Sequence, residues 1–164
     1  MTRLILSVGT ALLLTVGTVW ASPLEDATAA YARGDYAAAL KIYQPLAAQG
    51  NADAQNNLGM LYRDGQGVPQ DYTQARQWYE KAAAQGLAQA KSNLGVLYRN
   101  GQSVPQDYVW AYMWFNLATE GSTGDLQKSA AHNRDKVARR MTPAQIAEAQ
   151  RLAQQCHAQQ FKGC

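Results

Sequence analysis

Between residues 51 and 122 the apolar positions recur with helical spacing. Ala54, Leu58, Leu61 and Tyr62 fall at i, i+4, i+7 and i+8, and Ala75, Trp78, Tyr79 and Ala82 at i, i+3, i+4 and i+7. Each set occupies one face of a 3.6-residue helix, so each predicts an amphipathic helix with its stripe turned to a core. Between the stripes stand Gly65 and Gly67, which accept the positive φ that ends a helix, and Pro69, which blocks continuation. Asp71 follows as an N-cap, and Gln74 three residues on completes the sequence of a capping box. The segment predicts a helical hairpin. The start of the chain reads differently: residues 4–19 are 16 residues without a charge, after a single cation at Arg3.

The hairpin pattern is then repeated. Residues 51–86 set above 87–122 are identical at 18 of 36 positions without a gap. Ala54, Asn57, Leu58, Gly59, Leu61, Tyr62, Arg63 and Gly65 recur as Ala90, Asn93, Leu94, Gly95, Leu97, Tyr98, Arg99 and Gly101. Val68, Pro69, Gln70, Asp71 and Tyr72 return as Val104, Pro105, Gln106, Asp107 and Tyr108. A fixed period of this size means stacked supersecondary units. Gly59 and Gly95 sit in mid-helix, where glycine costs about 1 kcal/mol against alanine, so a neighbouring helix is expected to press there. Trp78 and Trp114 are expected to fill the hairpins from the facing helix. Upstream, Tyr36, Ala39 and Tyr43 match Tyr72, Ala75 and Tyr79, but the residues answering 66–70 are missing. The first hairpin should have a tighter turn and a shortened leading helix. Downstream, about 125–140 reads as a helix, and Thr142, Pro143 and Gln145 start another as N-cap, N1 and N3. The expectation is an all-α solenoid of about eight helices in four antiparallel pairs.

Composition narrows the picture. The 164 residues carry a formal charge of +3, and charged residues at 16% exclude a disordered polyelectrolyte or a polybasic nucleic-acid arm. Alanine is abundant, with 29 residues, which suits close helix packing. The apolar start, with Val19, Trp20 and Ala21 offering small residues at −3 and −1, reads as a signal peptide over 1–21. As a helix the 16 residues would span about 24 Å, short of a bilayer core near 30 Å, so no stable membrane span is expected after cleavage. The remaining 22–164 are read as one domain: a partial repeat over 22–50, full repeats over 51–86 and 87–122, and capping helices over 123–164. Periplasmic or secreted localisation follows.

The run of Ala52, Ala54, Asn57, Leu58, Gly59, Leu61, Tyr62, Gly65, Val68, Pro69, Asp71, Tyr72, Ala75 and Trp78 resembles the Sel-one-like repeat (SLR), a relative of the tetratricopeptide repeat. The likeness is strong over 51–122 and partial over 24–50, and the ending around Met141, Thr142 and Pro143 is similar to the closing helices of bacterial members. The resemblance implies an α/α superhelix acting as a non-enzymatic protein-interaction scaffold, often exported and tied to the envelope. A fixed subunit of an envelope assembly is a variant of the same reading. A cysteine-rich branch of the family with penicillin-binding or weak β-lactamase-like activity supplies the enzymatic alternative. Both full repeats here lack cysteine, a departure from that branch.

No residue pattern points to catalysis, a metal or a cofactor. His132 and His157 lie in no metal-ligand spacing, and there is no G-x-S-x-G and no phosphate loop. Cys156 and His157 are helix neighbours pointing about 100° apart and cannot act as nucleophile and base. Residues 128–164 hold seven basic and two acidic residues, among them Lys128, Arg134, Lys136, Arg139 and Arg140, a possible patch for an anionic polymer or lipid or else a solvated cap. Nucleic acid is not an expected partner. Asn57, Arg63, Asn93 and Arg99 recur at two positions of the leading helices, which line the groove in repeats of this class. They are the candidate contacts to a protein or peptide.

Cys156 and Cys164 are the only cysteines. In one continuous helix they would stand about 12 Å apart, beyond disulfide reach. The last helix has no apolar repeat after Leu152 and Gly163 allows a bend, so an end near Ala158 lets the tail return and close a bridge. Two free thiols, or a metal site using His157 that would lack a fourth ligand, are the other arrangements of these residues.

Overall fold

The computed structural model describes residues 22–161 and 163–164. The leader expected over 1–21 lies outside them. Among the described residues eight α-helices follow one another and no strand occurs: α1 (Pro23–Ala32), α2 (Tyr36–Ala48), α3 (Ala52–Asp64), α4 (Tyr72–Ala84), α5 (Ala88–Asn100), α6 (Tyr108–Glu120), α7 (Gly124–Ala138) and α8 (Pro143–Ala158). From α1 to α7 each helix packs on the next, whereas α8 lies against α6 and does not pair closely with α7 as a fourth hairpin would.

Local chemistry explains the boundaries. Gly65 and Gly101 end α3 and α5 at φ 67° and 69°, in the left-handed region that a side chain rarely adopts. Asp71 and Asp107 then start α4 and α6, each accepting two backbone N–H bonds. The capping box expected at Asp71 does not form. Its own N–H donates to the Tyr62 carbonyl at 2.9 Å, so no donor remains for Gln74. Asp107 is tied to Tyr98 in the same way at 3.0 Å, which folds each long turn back onto its leading helix. At Thr142 nothing competes, and Thr142 and Gln145 bond reciprocally. The first hairpin is tighter, as its missing residues imply: α1 has 10 residues where α3 and α5 have 13.

Glycine in mid-helix is explained by aromatic rings. A Cβ on Gly59 would stand 2.6 Å from Tyr79 Cε1, and one on Gly95 would stand 2.8 Å from two atoms of the Phe115 ring. The residues that press on the glycines are therefore Tyr79 and Phe115, one position after the tryptophans expected in that role. Trp114 is buried as well, but Trp78 is only half-buried and lies beneath Lys81 Nζ at 3.9 Å. The buried apolar residues fall into two groups. One joins α1 to α3 through Ala27, Tyr43, Leu58 and Leu61, and the other runs from α4 to α8 through Leu94, Met113, Trp114 and Val137.

Candidate functional site

A polar network runs alongside the seam between the two apolar groups. Gln55 and Asn56 of α3 are buried. Gln55 donates to the Ala47 carbonyl at 3.1 Å and accepts from Gln85 at 2.8 Å, linking α2, α3 and the end of α4. Asn93 of α5 donates to Asn56 at 2.9 Å, and Asn56 donates to Asn57 at 3.3 Å. Two of the residues singled out from the sequence thus meet through Asn56. That residue escaped notice because its counterpart is Ser92 and the position does not recur. Asn93 is 6% exposed, so its amide serves the stacking of α5 on α3.

The two recurring arginines are electrically different. Arg63 forms a bidentate pair with Asp64, both bonds 2.7 Å, and that carboxylate raises its pKa above the usual guanidinium value. At the matching place Arg99 is followed by Asn100, a neutral partner at 3.2 Å. Arg99 also donates to Asn133 of α7 at 2.9 Å, which carries the stacking one helix further.

Arg99 opens onto a cavity of about 440 Å³ lined by Arg99, Asn100, Gln106, Tyr108, Lys136, Val137 and Arg140. The C-terminal turn of α5, the turn before α6 and the C-terminal turn of α7 build it together. Gln106 caps α5 by donating to the Arg99 carbonyl at 2.8 Å, and Arg140 donates to the Tyr108 hydroxyl at 2.9 Å. Three cations and no carboxylate line this cleft. The basic stretch near the C-terminus is accordingly divided. Lys136 and Arg140 face the cleft, whereas Lys128 pairs with Asp125 and Arg134 with Asp135.

At the other end of α5, Lys91 is 2% exposed and lies 3.4 Å from the centre of the Phe161 ring. Burial pushes its pKa down to about 8, opposed by the Glu120 carboxylate. Phe161 is held there by the tail. Cys156 and Cys164 form a disulfide with Cα atoms 5.5 Å apart, and α8 ends at Ala158. Neither Lys91 nor Phe161 stood out in the sequence. A lysine three residues before Leu94, on the inward face of α5, was the one available signal.

Stacked antiparallel hairpins with leading helices joined edge to edge define an α/α solenoid, a class that presents an extended surface. The chain belongs to the Sel1-repeat family. The Sel1 repeat is matched at residues 29–51, 52–87 and 88–122. Repeats of this family typically serve as scaffolds for protein–protein interaction and are typically non-enzymatic. Among solved structures the chain is similar to c5321, described as a protective antigen of uropathogenic Escherichia coli strains displaying an SLR fold. That likeness has 33% identity and a TM-score of 0.73 over 85% of this chain and 32% of that one. It is also similar to a Sel1 repeat protein from Oxalobacter formigenes, at 33% identity and a TM-score of 0.60 over 66% of this chain and 45% of that one. The chain thus spans less than half the length of either. No curated protein matches it. No helix among the described residues is long and apolar enough to cross a membrane.

Proposed function

We propose that this chain is a non-enzymatic scaffold of the bacterial envelope, exported with removal of residues 1–21 and binding a protein or peptide along its leading helices. The observation that carries the reading is the direct linkage of α3 to α5 by the Asn93–Asn56 bond and of α5 to α7 by the Arg99–Asn133 bond, which holds the leading helices side by side. Arg63 of α3 and Arg99 of α5 are half-exposed at matching places on two of those helices. Export is supported by the uncharged segment 4–19 and by the disulfide, a bond that persists in oxidising compartments. Photo-crosslinking probes on α3 and α5 in cells, read by mass spectrometry, test the reading. A discrete partner captured from these helices, and lost with Arg63→Ala and Arg99→Ala at unchanged helicity, supports it. Equal loss of fold and capture overturns the contact role.

A further inference from the structure

We infer that the cleft between α5 and α7 is a binding site for carboxylates, and that its occupant is a short acidic peptide segment of a partner. The inference rests on the scaffold reading above and adds the place and the chemistry of the contact.

Charge comes first. Arg99, Lys136 and Arg140 converge on one cavity with no acidic lining residue. The nearest carboxylates in sequence are already engaged, Asp107 in capping α6 and Asp135 with Arg134. Two helix C-termini point into the same region, each worth about half a negative charge, and together they offset roughly one of the three cations. A net positive cleft remains. It is specific to this hairpin: one unit earlier, Arg63 is neutralised by Asp64.

Geometry comes second. Arg99 is fixed by Asn133 and Asn100, and Arg140 by Tyr108, so both guanidinium groups are oriented before any ligand arrives. Planar guanidinium forks match carboxylates in bidentate pairs. The volume of about 440 Å³ lies in the range of small-ligand sites and admits a few side chains but not a folded surface. A membrane is the poorer fit, because the apolar floor of the cleft, Val137, is 1% exposed.

The test uses fluorescence anisotropy of a labelled tetraglutamate peptide against residues 22–164, with tetraglutamine as the neutral control. Binding of tetraglutamate alone, weakening as salt rises from 50 to 500 mM, is expected. Lys136→Gln with Arg140→Gln, both at exposed positions, should weaken it about tenfold or more, whereas Lys128→Gln should not. No binding at millimolar peptide, or equal loss in Lys128→Gln, overturns the site. Binding of anionic vesicles but not of peptide assigns the cleft to lipid and also overturns it. If the crosslinked partner still binds the Lys136→Gln, Arg140→Gln variant undiminished, the cleft is refuted and the scaffold stands.

Discussion

Gly59 and Gly95 show how a single missing methyl group decides packing. Alanine at either place would gain about 1 kcal/mol in helix propensity, but its Cβ would fall within 3 Å of a buried ring. Overpacking of that kind costs about 1–3 kcal/mol, so Gly95→Ala should lower stability to urea despite the better helix former. The ring facing Gly59 carries its own consequence. The Tyr79 hydroxyl is buried without a hydrogen-bond partner, and the next unit has Phe115 in its place. Tyr79→Phe should therefore unfold at equal or higher denaturant concentration than the parent. Lys91 adds a pH dependence. Its folded pKa of about 8 lies below the ordinary 10.5, so between those values the unfolded chain holds a proton that the folded chain has released. Stability rises with pH across that window, and the cost of the buried charge is fully present below pH 8. Relative to Lys91→Met, the parent should gain up to about 1.4 kcal/mol per pH unit between pH 8 and 9.5. A constant difference in urea titrations would sink the assignment. The raised pKa values of Tyr79 and Tyr98 lower the stability of both proteins alike above pH 10, so they cancel from this difference.

Among the elements, α8 and its tail are where a covalent bond replaces apolar repetition. Beyond Leu152 the helix offers only the small side chains of Ala153 and Cys156 to the buried core, and the chain turns at Gln160 and Phe161, both at positive φ. The disulfide closes nine residues and so removes unfolded-state entropy worth about 2–3 kcal/mol. Paired Cys156→Ser and Cys164→Ser changes should lower the melting temperature. They should also free Phe161 from Lys91, so amine acylation of Lys91, followed by peptide mass mapping, should speed up. Unchanged acylation would mean that the tail keeps its place without the bond.

For the whole chain, repetition suggests that either full unit is dispensable, but the packing of α8 separates the two. Met113 and Trp114 of α6 are buried in the group that includes Ala149 and Cys156 of α8, whereas α4 has Gln77 and Trp78 at the matching positions, exposed and half-buried. Deleting 87–122 would set α7 and α8 against α4 and lose that apolar contact. Deleting 51–86 joins Gly50 to Leu87, and Gly50 and Gly86 share a φ of 91°, so the junction is native in form. The second deletion should give a shorter helical protein with one cooperative urea transition by circular dichroism, and the first a weakened or broadened one. One inserted residue within 88–100 should be worse than either, since it rotates the following apolar face by about 100°.

The period of 36 residues, the helix ends and the shortened first hairpin were all legible in the chain, because turn glycines, caps and apolar spacing act over a few residues. So was the Cys156–Cys164 bridge, once the last helix was read as ending at Ala158. Which ring fills each hairpin was not legible: Trp78 and Tyr79 are adjacent, and only the crossing of α3 by α4 selects Tyr79 for the glycine. The capping box at Asp71 failed for a similar reason, through a carbonyl nine residues away. The candidate site was half visible. Arg99 recurs with Arg63 and so stood out, but its free charge depends on the change from Asp64 to Asn100, and its companions Lys136 and Arg140 come from α7 and the turn after it, outside the repeat. Electrostatic fields add over space and not along the chain, so only the folding of α7 against α5 could gather those three cations.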